Sequence, residues 1–176
     1  IDPGLISSVD GSTYTQHQFE NLMKYQMVDE LAGEDENMHN TEVVPGQAAS
    51  YEVSDDLCVY TFKLRDDIFW SDGKPVTAAD FVYSWQRVAN PETAAPYADT
   101  VLWPVENFDA VFAGEADPST LGVSAPDDKT FVVKLSAACP YFESLAAFAT
   151  LSPVNPATVE ANGDAWAASP ATYILN

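Results

Sequence analysis

Two histidines, two cysteines and a large surplus of carboxylates are the residues of this chain with catalytic or metal-binding potential. Their spacing favours neither use. A Ser-His-Asp relay would have to employ His17 or His39, the first on an expected helix and the second in an acidic loop. No Cys or His falls at zinc-site separations, and the HExxH pattern is absent. Gly4-Leu5-Ile6-Ser7-Ser8 is not a nucleophile elbow, and neither a phosphate loop nor a dinucleotide fingerprint occurs. With 27 Asp and Glu among 176 residues, carboxylate pairs arise from composition alone, so their spacing says nothing about acid–base work. The expectation is therefore no catalytic residue, no metal and no cofactor. Trp70, Phe81, Tyr83 and Trp85 could stack on a sugar, but they have the spacing of a helix face packed on a sheet and are expected in the core.

Cys58 and Cys139 are compatible with one disulfide in an oxidising compartment. Cys58 opens an expected strand over 58–64, and Cys139 lies just past another over 131–135. Were those strands antiparallel neighbours, the sulfurs could meet. Two buried free thiols are the alternative.

The elements that must position any site are legible in the hydrophobic pattern. Ser71-Asp72-Gly73 is turn chemistry, with Gly73 free to take a positive φ. Pro75 then fixes an extended entry, Thr77 is an N-cap, and Asp80 places a negative charge at the helix start. Phe81, Val82, Trp85 and Val88 fall on one face, so a helix is expected over 78–88. Tyr60, Phe62 and Leu64 alternate with Val59, Thr61 and Lys63 as in a half-buried strand, and Phe131, Val133 and Leu135 alternate beyond a turn at Asp127-Asp128. Further helices are expected over 11–23, capped by Ser12 or Thr13, after Pro104 with Phe108 and Phe112, and over 141–150. Another begins at Asn155-Pro156 and stops at Gly163. Residues 29–42, with Glu34-Asp35-Glu36, are expected to form a solvated acidic loop. The mixture indicates an α+β or mixed α/β fold.

Composition narrows the partners. Hydrophobic residues make up 47% and aromatics 12%, which specifies a globular chain. The net charge of −20 repels nucleic-acid phosphates and anionic lipid heads, so neither is an expected partner. No apolar run approaches the roughly 20 residues of a membrane helix.

Residues 70–87, WSDGKPVTAADFVYSWQR, followed by Asn90-Pro91-Glu92-Thr93-Ala94-Ala95-Pro96-Tyr97, resemble the oligopeptide-binding members of the large extracellular solute-binding proteins of bacterial ABC importers. Ile1-Asp2-Pro3 is similar to that family's opening Leu-Asp-Pro. Val44-Pro45-Gly46 with Ala48 and Tyr51-Glu52 resembles its P-G-x-A signature, and Tyr60-Thr61-Phe62-Lys63-Leu64-Arg65 its T-F-x-L-R strand. Cys139-Pro140-Tyr141-Phe142, Ser152-Pro153-Val154 and Gly163-Asp164-Ala165-Trp166 follow in the family's order. The resemblance runs along nearly the whole chain.

It implies a type II periplasmic-binding-protein fold, of which these residues would form part of lobe I and its smaller subdomain, with the second lobe absent. Residues 1–22 would belong to the large lobe, 23–172 to the smaller mixed subdomain, and 173–176 to the start of the return. The implied function is capture of oligopeptides outside the cell for a membrane permease. An export signal would have been removed, and the membrane would be met only through an N-terminal lipid anchor. Ser7, Ser8 and Val9 would pair with an extended peptide, and the Tyr97 ring would pack on it. Where many oligopeptide binders carry an acidic residue in the first region, this chain has Ser7. Rival readings are another cargo in the same family, such as a nickel chelate or an oligosaccharide, and a secreted hydrolase or adhesive domain.

Overall fold

The computed structural model describes residues 1–31 and 39–176. The chain enters through a 3-10 turn, Pro3–Leu5, and the helix α1 (Val9–Gln18). Strands β1 (Met23–Leu31) and β2 (His39–Pro45) form an antiparallel ribbon with Met23 opposite Pro45 and Tyr25 opposite Val43. Strands β3 (Ala48–Val53) and β4 (Val59–Leu64) precede the helices α2 (Ala78–Ala89), α3 (Ala98–Val101) and α4 (Phe108–Phe112). Then come β5 (Val123–Asp127), β6 (Thr130–Lys134), α5 (Phe142–Leu145), a 3-10 turn Ala149–Leu151, and α6 (Pro156–Asn162). The second sheet runs β3-β4-β6-β5, antiparallel throughout. The expected mixed class is what forms.

Alternation decides which face of that sheet is buried. Tyr60, Phe62 and Leu64 of β4 point one way, with Phe131 and Val133 of β6 opposite Phe62 and Tyr60. Helix α2 covers them with Phe81, Trp85 and Val88, all buried, and Trp85 meets Phe131 edge-on at 5.0 Å. Each such side chain contributes about 1.5–3 kcal/mol on burial. Trp70, Phe81 and Trp85 are thus core residues, and Tyr83 packs half-buried beside a second cluster.

The start of α2 follows its sequence signals. Gly73 sits at φ +87°, and Asp72 Oδ1 accepts the Lys74 amide at 3.1 Å. Asp80 Oδ2 accepts from the Thr77 amide at 2.8 Å and the Trp70 indole at 3.3 Å. Burial nevertheless holds the Asp80 carboxyl above its usual range. The Thr77 hydroxyl donates to the same oxygen at 3.2 Å. Gly46 serves close approach: its amide bonds Leu22 O at 2.8 Å, and a Cβ there would lie 2.3 Å from Asn21 O.

Three expectations are corrected. The first helix is Val9–Gln18, capped by Ser8, whose Oγ accepts the Gly11 amide at 3.1 Å. It ends early because Phe19, Leu22 and Met23 must reach the core, where each is under 5% exposed. The acidic loop is narrower than expected, since 29–31 and 39–42 belong to the ribbon; Glu34-Asp35-Glu36 lie outside the described residues. The helix over 141–150 breaks after Leu145. Phe148 turns extended at φ −76°, ψ 135°, and its carbonyl is taken by Asn21 Nδ2 at 2.7 Å.

Strands β4 and β6 are antiparallel neighbours, and the Cys139 amide reaches Leu57 O at 3.3 Å. The disulfide this would permit is not formed. Both cysteines are free thiols, with Cys58 Sγ directed to Asp56 O at 3.3 Å and Cys139 buried.

A smaller cluster of Phe19, Val154, Val159 and Trp166, with Tyr173 against it, ties the two chain ends together. Tyr173 Oη lies 2.6 Å from Ile1 O, and burial, then the Asp2 charge, pushes its pKa up to about 12. Glu20 and Asn176 exchange two hydrogen bonds of 3.1 Å, backbone to side chain. No helix among the described residues is long and apolar enough to cross a membrane.

Candidate functional site

Ser8, Val9 and Tyr97, 89 positions apart at the extremes of that set, line one cleft of about 340 Å³ together with Ile6, Ser12, Thr13, Gln16, Phe148, Ala149 and Thr150. None of these side chains is charged. On a chain of net charge −20, an uncharged concavity is set apart from the rest of the surface.

The first wall is held by Asp2. Its carboxylate accepts from Arg87 Nη1 at 3.1 Å, Arg87 Nη2 at 2.5 Å, Trp166 Nε1 at 3.0 Å and the Gly4 amide at 3.0 Å. Both charged side chains are mostly withdrawn from water, at 10% and 15% exposure. Ile6 is buried beyond that anchor, and Ile6 and Ser8 are both extended. Between them the Ser7 amide and carbonyl take no backbone partner among the described residues. A short extended segment with free main-chain groups is what an added peptide strand pairs with. Val9, 83% exposed, then opens α1.

The second wall is Tyr97, presented by a turn in which Ala94 is left-handed at φ +52° and Ala98 N bonds Ala95 O at 3.2 Å. Its half-buried ring lies 5.4 Å from that of Phe148. The floor is the 3-10 turn Ala149–Leu151, and α2 pins it. Trp85 Nε1 donates to Leu151 O at 3.1 Å, and Ser84 Oγ accepts the Val154 amide at 2.9 Å. One helix therefore fixes the first wall, through Arg87, and the floor, through Ser84 and Trp85.

Of the four residues expected to meet ligand, the structure brings Ser8, Val9 and Tyr97 together, with Ser7 exposed in the adjoining extended segment. Ser8 Oγ is committed to capping α1, so its main chain is what it can offer. His17 lines a different cavity, of about 450 Å³, with Glu20, Asn21 and Lys24. Among the described residues no three His, Cys, Asp or Glu side chains gather as metal ligands would.

Sequence reasoning took Ser12 or Thr13 as the cap of a helix over 11–23 and so left Val9 outside it. In the helix that begins at Val9, Val9, Ser12, Thr13 and Gln16 fall at i, i+3, i+4 and i+7, on one face. It missed Thr150 because an apolar run concealed the turn.

Residues 42–176 match the family described as bacterial extracellular solute-binding proteins, family 5, middle region. The chain belongs to this family. Across its whole length it is 41% identical to the periplasmic oligopeptide-binding protein OppA of Salmonella typhimurium, covering 30% of that protein. The solved structure of Burkholderia pseudomallei OppA superimposes with a TM-score of 0.85 at 39% identity, over 99% of this chain and 32% of that one. Haemophilus influenzae OppA in complex with the peptide RPPGFSPFR gives a TM-score of 0.85 at 37% identity, over 98% and 31%. The chain thus spans about 30% of the length of these relatives. The family places the chain among solute-binding proteins, in agreement with an uncharged cleft and free main-chain groups.

Proposed function

We propose that these residues form one wall of the ligand cleft in the substrate-binding component of an ABC importer, which captures oligopeptides outside the cytoplasm and delivers them to a membrane permease. The observation that carries this is that Ser8, Val9 and Tyr97 line one uncharged cleft, with the unpaired main chain of Ser7 in the adjoining extended segment. The peptide complex of the Haemophilus relative supports the ligand class. A binder of many peptides must grip what all peptides share, the main chain, and leave their side chains in roomy, hydrated space. Ligand would be held between this wall and a second lobe that hinges shut, so affinity draws on both sides. Residues 1–22 and 173–176 would belong to the larger lobe and 23–172 to its smaller subdomain.

Ser7 supplies no acidic group where many oligopeptide binders have one, and this favours, as a second reading, another solute such as a nickel chelate or an oligosaccharide. Mass spectrometry of ligand co-purified with the full-length protein separates the two. Calorimetry with a mixed peptide pool should give saturable binding, and Tyr97→Ala should weaken it up to about tenfold through loss of ring packing. A full-length protein that co-purifies with a metal chelate or sugar and ignores peptides would overturn the peptide assignment.

A further inference from the structure

Thr150 is 1% exposed, lies in the floor of the cleft, and its Oγ1 has no hydrogen-bond partner. Leaving a hydroxyl buried and unpaired costs about 1–3 kcal/mol, so the unliganded chain carries a penalty that valine, of nearly the same shape, would not incur. The neighbouring polar groups are already engaged. Phe148 O is held by Asn21, Leu151 O by Trp85, and Ser8 Oγ by the Gly11 amide. On the helix wall the Thr13 hydroxyl donates to Val9 O at 3.1 Å, while Ser12 is half-buried and Gln16 exposed, so none of the three is a fully buried polar group. Thr150 alone among the lining residues has a buried polar atom left over.

We infer that the Thr150 hydroxyl is a specificity-determining contact, accepting a hydrogen bond from a main-chain amide of the bound ligand as it settles onto the floor between Val9 and Tyr97. A Thr hydroxyl offers two acceptor lone pairs, and its proton turns about the Cβ–Oγ1 bond without moving the heavy atoms. The inference rests on the peptide reading above and deepens it. The cleft's lining offers no charge, so a ligand is oriented here by hydrogen-bond direction. A ligand without an amide hydrogen at that position, such as a peptide N-methylated or carrying proline there, loses the contact.

The test uses the full-length protein with Thr150→Val and Thr150→Ser, a defined tight-binding peptide and calorimetry, alongside melting of the unliganded proteins. Thr150→Val is expected to bind about five- to tenfold more weakly, while its unliganded melting temperature equals or exceeds that of the parent. Thr150→Ser should restore most of the affinity. Parental affinity in Thr150→Val would overturn the inference and leave the peptide reading intact. A lowered unliganded melting temperature in Thr150→Val would also overturn it, by showing that the hydroxyl serves the fold. A parent protein that binds no peptide would remove the reading itself.

Discussion

Asp2→Ala is expected to destabilise the chain by about 3–5 kcal/mol, the range for removing one partner of a buried ion pair. The side chain is small and near the chain start, and propensity alone would call the change mild. Its carboxylate, however, is the shared acceptor for the Arg87 guanidinium, the Trp166 indole and the Gly4 amide. Removing it strands a guanidinium that is 15% exposed, together with an indole N–H in a residue that is fully buried. The 3-10 turn Pro3–Leu5 loses its cap in the same step. Urea denaturation followed by tryptophan fluorescence measures the cost. Asp2→Asn should fall between the two, because an amide oxygen still accepts from Trp166 but offers Arg87 no charge. A loss under about 1 kcal/mol for Asp2→Ala would mean that the pair behaves as a surface ion pair.

Trp85→Ala should cost a further large amount, about 3–5 kcal/mol, typical of emptying a buried Trp site. The indole is fully buried between Phe131, 5.0 Å away, and Phe142, 6.1 Å away. It also donates to Leu151 O, which alanine would leave unpaired. Trp85→Phe separates the two contributions, since it keeps most of the apolar volume and removes only the N–H. We expect about 1–2 kcal/mol from that change, accompanied by weaker ligand binding in the full-length protein, because the turn carrying Thr150 loses its tether. Unchanged binding in Trp85→Phe would show that the cleft floor is held by other contacts.

Periodicity and turn chemistry made the second sheet and α2 legible. Alternation at Tyr60, Phe62 and Leu64, the helical spacing of Phe81, Trp85 and Val88, and the Ser71-Asp72-Gly73 turn each have one physical solution, and the structure adopts it. Elements set by tertiary contacts were not legible. The first helix begins at Val9 because Ser8 caps it, and Ser12 and Thr13 are equally good caps by residue type. Beyond the break after Leu145 the chain is held by Asn21 and Trp85, 124 and 60 positions back along the chain from Leu145, which donate to the carbonyls of Phe148 and Leu151. The positions proposed to meet ligand fared in the same way. Ser7, Ser8, Val9 and Tyr97 were reachable only through family resemblance, because no local pattern distinguishes them from a loop serine, a core valine or a turn aromatic. Thr150 emerges only once burial and hydrogen bonding are counted atom by atom.

The central claim is that this chain supplies one side of a grip that depends on closure. Titration calorimetry of one peptide pool against the isolated 176 residues and against the full-length protein tests it most directly. The account predicts saturable binding by the full-length protein and no measurable binding by the isolated residues at micromolar concentrations, because the proposed second lobe would supply the contacts that closing adds. Micromolar affinity in the isolated residues would contradict it.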